Sequence, residues 1–263
     1  MSLRTVTSLT NPTVKAVRAL HLRKEREETG LFVAEGLKTV TEGIETGHAP
    51  KILLHGAEAV GHPLMRKAID ATMAAGGQVI EVTQDILAKV SRRDNPQAVV
   101  GVFEQVFFPL DTLPPHSAPC WVALHRVRDP GNLGTIIRTA DAAGLGGVIL
   151  VGECCDPYSV EAVRATMGSI FAVPLTRASE AEFAAWRNGW PGSVVGTLLT
   201  APVSHTEAVY ARPTLLFMGN EQQGLTEEMA ALCDVNVKIP MRGRADSLNL
   251  SVATGIMIYA ATA

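Results

Sequence analysis

In the second half of the chain, short continuous apolar runs alternate with longer stretches whose apolar positions recur every three or four residues. Runs such as Val148-Ile149-Leu150-Val151 and Leu215-Leu216-Phe217-Met218 predict strands buried on both faces, as in a parallel sheet between helix layers. The pattern predicts strands over 120–127, 147–152, 170–175, 193–199, 214–219 and 235–240. Helices are expected over 132–144, 159–168, 179–190, 225–232 and 248–262. The last helix is apolar almost all round, through Val252, Ile256, Met257, Ile258 and Tyr259. It therefore needs cover from its own domain or from a second subunit.

The first hundred residues alternate in the same way over a smaller span. Asn11-Pro12 opens a helix through Val14, Val17, Leu20 and Leu22, with Pro where its missing N–H costs nothing. Strands are predicted at Leu31-Phe32-Val33-Ala34, Lys51-Ile52-Leu53-Leu54, 79–82 and 98–103, with helices between them, the first through Leu37, Val40 and Ile44. Residues 107–119 hold four prolines and read as a linker. The chain is thus expected to comprise a domain over 1–106, a Pro-rich linker over 107–119 and a larger α/β domain over 120–263.

Composition changes this picture little. At 263 residues, 47% hydrophobic and 19% charged, the chain has the make-up of an ordinary globular protein. No apolar stretch is long enough to cross a bilayer without charges, and Met1-Ser2-Leu3-Arg4-Thr5 is not followed by a signal-like apolar segment. A cytoplasmic location without membrane attachment is expected. Cys120, Cys154, Cys155 and Cys233 form no CxxC pair, the seven His have no metal-like spacing, and no metal site is expected. Buried reduced thiols are the simpler reading.

Charge is more informative by position than in total. The net charge is −3, yet residues 1–26 carry Arg4, Lys15, Arg18, Arg23, Lys24 and Arg26 against Glu25 alone. Such a segment suits phosphate groups, and it also suits the solvated face of a helix.

Three polar islands interrupt the apolar second half: Asn132-Leu133-Gly134-Thr135-Ile136-Ile137-Arg138, Gly219-Asn220-Glu221-Gln222-Gln223-Gly224-Leu225 and Ser247-Leu248-Asn249-Leu250-Ser251. Each follows a predicted strand or opens a predicted helix, where open α/β sheets bind ligands. Asp129-Pro130-Gly131-Asn132 is a turn leading into a small apolar helix in which Arg138 is expected to be buried, either paired with Asp141 or presented to a phosphate. Gly219 ends a strand, where it lets a ligand or another backbone segment approach closely. Glu221 lies beyond the strand's carboxyl end, or faces the dipole of its own helix. Ser247 is a plausible cap, whereas Asn249 beside an apolar helix needs hydrogen-bond partners. The chain lacks Gly-x-Ser-x-Gly, a P-loop, His-Glu-x-x-His and Gly-x-Gly-x-x-Gly, which argues against the reaction classes those motifs serve.

With these residues in order, the chain resembles the SpoU/TrmH family of RNA ribose 2′-O-methyltransferases of the SPOUT superfamily. The likeness covers 120–263, including Ala165-Thr166-Met167-Gly168-Ser169. The first hundred residues resemble the family's substrate-binding extension, through Ser8-Leu9-Thr10-Asn11-Pro12-Thr13-Val14-Lys15 and Phe32-Val33-Ala34-Glu35-Gly36. The resemblance implies a parallel α/β sheet closed by a deep trefoil knot, preceded by a small L30e-like α/β RNA-binding domain. It implies S-adenosylmethionine as cofactor, S-adenosylhomocysteine as product, no metal, and a homodimer formed through the knotted domain. By the same resemblance Gly219, Ile239 and Leu248 contact the cofactor, while Asn132, Arg138, Glu221, Ser247 and Asn249 form the polar active-site set. Lys15, Arg18, Arg23, Lys24 and Arg26 are the expected RNA contacts. Gln222 stands where the family often has Gly, and Asp246 where it usually has Glu, which bears on the substrate more than on the chemistry. Ribosomal RNA is favoured over transfer RNA as the substrate. A transfer-RNA 2′-O-methyltransferase and a knotted RNA-binding protein without activity stay open as alternatives. An unrelated nucleotide-dependent α/β enzyme is disfavoured by the missing phosphate fingerprints.

Overall fold

Helices begin where a short polar side chain can take the first free backbone N–H groups. In the computed structural model, which describes residues 4–263, Asn11 does this ahead of Pro12, Thr83 ahead of Gln84, Asp129 ahead of Pro130 and Asn249 ahead of Leu250. Met1-Ser2-Leu3, part of the N-terminal stretch weighed as a signal segment, lies outside the described residues. Contacts divide the chain into one unit made of the residues up to Gln105 with Tyr158–Ala172, and another made of Val106–Pro157 with Val173–Ala263.

The first unit contains β1 (Arg4–Val6), α1 (Pro12–Ala19), α2 (Arg23–Thr29), β2 (Leu31–Glu35), α3 (Leu37–Glu45), β3 (Ile52–His55), α4 (Pro63–Ala74), β4 (Gln78–Val82), α5 (Gln84–Ser91) and β5 (Val99–Glu104). Its sheet has the order β1-β4-β3-β5-β2, with β1, β4 and β3 parallel and β5 antiparallel to both β3 and β2. Val14 and Val17 of α1 and Leu20 at its end pack with Ile86, Leu87 and Val90 of α5 over Val33, Leu54, Ile80 and Val100. Arg26 does not join the basic surface expected of it. It is 3% exposed and its Nη1 donates to the Leu20 carbonyl at 2.8 Å, holding the end of α1. Arg23 and Lys24 stay outside but pair with Glu27 and Glu28 one turn on.

The second unit contains β6 (Cys120–His125), α6 (Pro130–Ala142) and β7 (Val148–Val151). The chain then gives α7 (Val160–Thr166) to the first unit and returns with β8 (Leu175–Ala178), α8 (Glu180–Arg187), β9 (Val194–Thr197), β10 (Val203–Ser204), β11 (Thr214–Met218), α9 (Glu227–Ala230), β12 (Val235–Lys238) and α10 (Leu250–Thr262). Its seven strands are all parallel, in the order β10-β12-β9-β11-β6-β7-β8. β6, β7 and β11 are buried along their whole length, which is why their sequences are apolar but for His125 and Thr214 at strand ends. α10 packs on α6, β6 and β11.

Three segments depart from the sequence reading. Ile170 and Phe171 were expected in a strand over 170–175; they lie instead in a 3₁₀ turn, Ser169–Phe171, and the strand starts only after Pro174. The apolar side chains there serve the first unit: Phe171 meets Phe103 edge to face with ring centroids 4.7 Å apart, and Tyr158 lies 4.6 Å from Phe32. Tyr158–Ala172 as a whole packs with the first unit, where Arg164 pairs with buried Glu35 at 2.7 Å. Residues 107–119 are no free tether. Leu113 is buried beside Trp121, the Phe108 N–H donates to Leu175 O at 2.8 Å, and the Trp121 indole N–H donates to Pro115 O at 3.2 Å.

All four cysteines are free; Cys120 is buried and the others are half-buried. Burial pushes the thiols of Cys120, Cys155 and Cys233 up to about 12, so they stay protonated at neutral pH. Among the described residues no helix is long and apolar enough to cross a membrane.

Candidate functional site

β6 and β11 are neighbours at the centre of the parallel sheet, with Leu124 opposite Met218. Beyond their carboxyl ends the chain makes two turns that face each other, 126–129 leading into α6 and 219–225 leading toward α9. This is the edge at which a parallel α/β sheet places its ligands.

The second turn is shaped by two residues. Gly219 is buried, and a Cβ there would lie 1.9 Å from the Gly224 carbonyl carbon and 2.1 Å from the Leu225 nitrogen. Here another backbone segment, Gly224-Leu225, approaches the Gly closely. Asn220 then folds the loop: its Oδ1 accepts from Gln222 N at 3.0 Å and Gln223 N at 2.7 Å, and its backbone pairs with Gly224. The turn presents Glu221 outward, towards the N-terminus of α6 and not that of its own helix.

The Glu221 carboxylate joins the two turns. Oε2 accepts from Arg128 N at 3.3 Å, and Oε1 accepts from Asp129 N at 3.2 Å and Asn132 Nδ2 at 3.2 Å. Asn132 in turn accepts, through Oδ1, from Asn249 Nδ2 at 2.9 Å. Asn249 uses its own Oδ1 to cap α10, accepting from Ser251 N at 2.9 Å and Val252 N at 3.3 Å. Asp129 caps α6 by accepting from Asn132 N at 2.7 Å. Two helix N-termini, each favourable to negative charge, are thus locked to one carboxylate by two amides of fixed orientation. A cavity of about 520 Å³ opens over the cluster, lined by Arg128, Asp129, Asn132, Asn220, Glu221, Gln222 and Asn249. A volume in this range suits part of a nucleotide-sized ligand.

Asn132, Glu221 and Asn249, one from each polar island, therefore meet. The remaining expected residues are placed differently. Ser247 is exposed and donates to Asp246 Oδ1 at 3.0 Å, outside the cavity lining. Leu248 is 37% exposed and Ile239 half-buried, both on the segment that links β12 to α10. Arg138 was expected to be buried; it is exposed. Leu133, Ile136, Ile137 and Ala140 take the inner face of α6, and this leaves Arg138 outside with Thr135 and Ala142. It lies about 9 Å along the helix from Asn132 and about 120° around it.

The sequence reading missed Asp129, Asn220 and Arg128. The first two carry ordinary cap and turn signals, Asp-Pro and an Asn ahead of a Gly-containing turn, and only the fold shows that they shape a site. It also missed a polar group beside β6. The buried His125 shares a 2.6 Å hydrogen bond with Glu180 Oε1, and Arg126 Nε lies 2.6 Å from the same oxygen. The His125 hydrogen bond, with Arg126 adding to it, holds the Glu180 carboxyl below the usual carboxylate range. Among the described residues no group of three or more His, Cys, Asp or Glu is arranged to hold a metal ion.

Comparison with known proteins matches the chain to a family. Residues 119–259 match the SpoU rRNA Methylase family, and residues 11–101 match the MRM3-like substrate binding domain. The chain is 32% identical over 246 residues to the 23S rRNA (uridine(2479)-2′-O)-methyltransferase of Streptomyces viridochromogenes, covering 91% of this chain and 85% of that one. It is 30% identical over 257 residues to a 23S rRNA (guanosine(2553)-2′-O)-methyltransferase of Bacillus subtilis, covering 98% of each. Among solved structures, the AdoMet-bound rRNA methyltransferase from Sinorhizobium meliloti superposes with a TM-score of 0.92 at 49% identity, covering 98% of this chain and 97% of that one. On the match over its second half and on these relatives, the chain belongs to the SpoU rRNA methylase family.

Proposed function

We propose that this protein transfers the methyl group of S-adenosylmethionine to a ribose 2′-hydroxyl of ribosomal RNA, in the cytoplasm and as a homodimer. The observation that carries the reading is the Asn249–Asn132–Glu221 relay, in which residues up to 117 positions apart converge at the carboxyl edge of the sheet. Two relatives named as acting on 23S rRNA, and one named as bound to AdoMet, support the substrate and the cofactor.

The chain offers a fitting place for the cofactor. Residues 242–249 are exposed, and no backbone hydrogen bond ties 241–248 to the rest of the described chain, so their main-chain donors and acceptors are open to a ligand. We assign Gly219, Ile239 and Leu248 to hold it, largely through backbone groups. When bound, the cofactor supplies a methyl group on a sulfonium, whose positive charge is discharged by transfer. What remains for the protein is to place the 2′-oxygen in line and to let its proton go. Glu221, engaged by three N–H donors, serves position: it fixes Asn132 and the start of α6 relative to the 219–225 turn. Asn132 and Asn249 present oriented amides to the ribose, with Ser247 beside them. Arg138 holds an RNA phosphate from the outer face of α6 through its planar guanidinium.

Two further features of the reading concern topology. From the edge pair β10–β12 the chain crosses back past β9 to set α10 on β11, β6 and α6, a return that suits threading through the 219–225 loop into a trefoil knot. Val252 and Tyr259 of α10 are 51% and 58% exposed, an apolar strip that suits a dimer contact. The first unit, with its mixed five-stranded sheet, is assigned as an L30e-like RNA-binding domain.

The test is transfer of labelled methyl from S-adenosylmethionine to deproteinised 23S rRNA, followed by alkaline hydrolysis. One alkali-resistant nucleotide is expected. Label on a base, or on transfer RNA alone, would overturn the assignment. So would the absence of calorimetric binding at high-micromolar cofactor.

Asn249 separates structure from chemistry within the site. Asn249→Ala removes the α10 cap and is expected to cost about 1 kcal/mol of stability. Asn249→Asp keeps the capping oxygen but cannot donate to Asn132. It should melt near the wild-type temperature and yet lose most single-turnover methylation. Equal activity in Asn249→Asp and wild type would remove the amide from the relay.

A further inference from the structure

A second cavity, of about 550 Å³, lies in the first unit between α1 and the end of α5. Lys15, Arg18, Lys89, Arg92 and Arg93 line it with Asp94 as the single acid. The helices are packed through Val14, Val17, Ile86 and Val90, so the cations stand on a fixed frame. Arg93 leans 3.9 Å from Glu35. Lys15, Arg18, Lys89 and Arg92 are exposed, and among the described residues none has an ion-pair partner.

Local helix chemistry does not account for this arrangement. Lys15/Arg18 and Lys89/Arg92 are like-charged neighbours three residues apart, each pair repelling across one turn. A cation near a helix C-terminus is favourable, which suits Arg18 and Lys89, but Lys15 closes the first turn of α1, where the dipole gives it no support. Arg92 caps α5 in the left-handed region, φ 53°, a position that favours Gly or Asn. The sequence keeps an Arg there at a conformational cost.

We infer that this groove grips the phosphodiester backbone of the RNA, apart from any contact the methylated nucleotide itself makes. Bridging anions would relieve both repelling pairs at once, and a polyanion gains by releasing its own counterions. The contacts are to phosphate, so they set affinity and register without reading bases. The inference rests on the reading of the substrate as RNA. It replaces the expected contacts Arg23, Lys24 and Arg26 with Lys89 of α5 and Arg92 at its cap.

The test uses the full chain and deproteinised 23S rRNA in filter binding between about 50 mM and 200 mM salt. Lys15→Gln, Arg18→Gln, Lys89→Gln and Arg92→Gln together should weaken binding at least tenfold at the low end, and should reduce the slope of log affinity against log salt by about 3. A control with the same charge loss, Lys24→Gln, Lys38→Gln, Lys51→Gln and Lys67→Gln, removes cations already paired with carboxylates and should leave the slope nearly unchanged. Arg92→Gly alone should weaken binding while melting no lower than wild type, since Gly suits the left-handed cap. An equal slope change in both quadruple variants, or no change in the first, overturns the groove. Wild-type protein that binds no RNA overturns the substrate reading and the groove with it. Calorimetric affinity for S-adenosylmethionine should be the same in all variants.

Discussion

Glu221→Gln is expected to lower single-turnover methylation by about a hundredfold or more while leaving the melting temperature within a few degrees of wild type. The carboxylate accepts from Arg128 N, Asp129 N and Asn132 Nδ2, three donors that converge on its two oxygens. An amide has one acceptor oxygen, and its NH₂ would face N–H groups that have nothing to offer it. The 219–225 turn then separates from the start of α6, and Asn132 loses the partner that orients it towards Asn249. Displacements of about 1 Å at a reacting centre are enough for a loss of this size. Stability should change little because Glu221 is exposed and water can satisfy the freed groups. A Glu221→Gln rate within threefold of wild type would show that the clamp does not position the reacting groups.

The site was legible in the sequence to the extent that polar residues stand out against apolar surroundings. Asn132, Glu221 and Asn249 are conspicuous for that reason, each at a junction of strand or helix, and they meet in the fold. The parallel sheet was legible on the same ground, since β7 is an unbroken apolar run and β11 is one from Leu215 on. Periodicity was the weaker guide where a tertiary partner decides. The run Ile170-Phe171-Ala172-Val173 has the composition of a strand, yet its aromatic ring is drawn into the Phe32–Phe103 cluster and Pro174 delays β8. Short edge strands had no signal at all: β1 has three residues and β10 two. The two misplaced arginines share a cause. Arg26 was grouped with its neighbours by charge and Arg138 with its neighbours by apolarity, and neither grouping asks which way a helical residue points. Once α2 and α6 are drawn as helices, Arg26 turns inward and Arg138 outward.

Gly219→Ala is expected to be the most damaging small substitution in the second unit, lowering the melting temperature by about 3–10 °C and cofactor affinity at least tenfold. The added methyl would sit 1.9 Å from the Gly224 carbonyl carbon and 2.4 Å from its oxygen, contacts with backbone that no side-chain rotation can relieve. The turn must open, and opening it breaks the Asn220–Gly224 pairing that aims Glu221. A larger change five residues on should be far milder. Gly224 has a φ of +69°, and a Cβ there would meet nothing within 4 Å. Asn tolerates that conformation, so Gly224→Asn should melt within about 2 °C of wild type and keep its cofactor affinity. The contrast inverts what side-chain size alone would suggest, because the constraint at Gly219 is steric and the one at Gly224 is conformational. Thermal melts and calorimetric titration of both variants decide it. If Gly219→Ala binds the cofactor as wild type does and Gly224→Asn does not, the packing of Gly219 beneath 224–225 is not what shapes the loop.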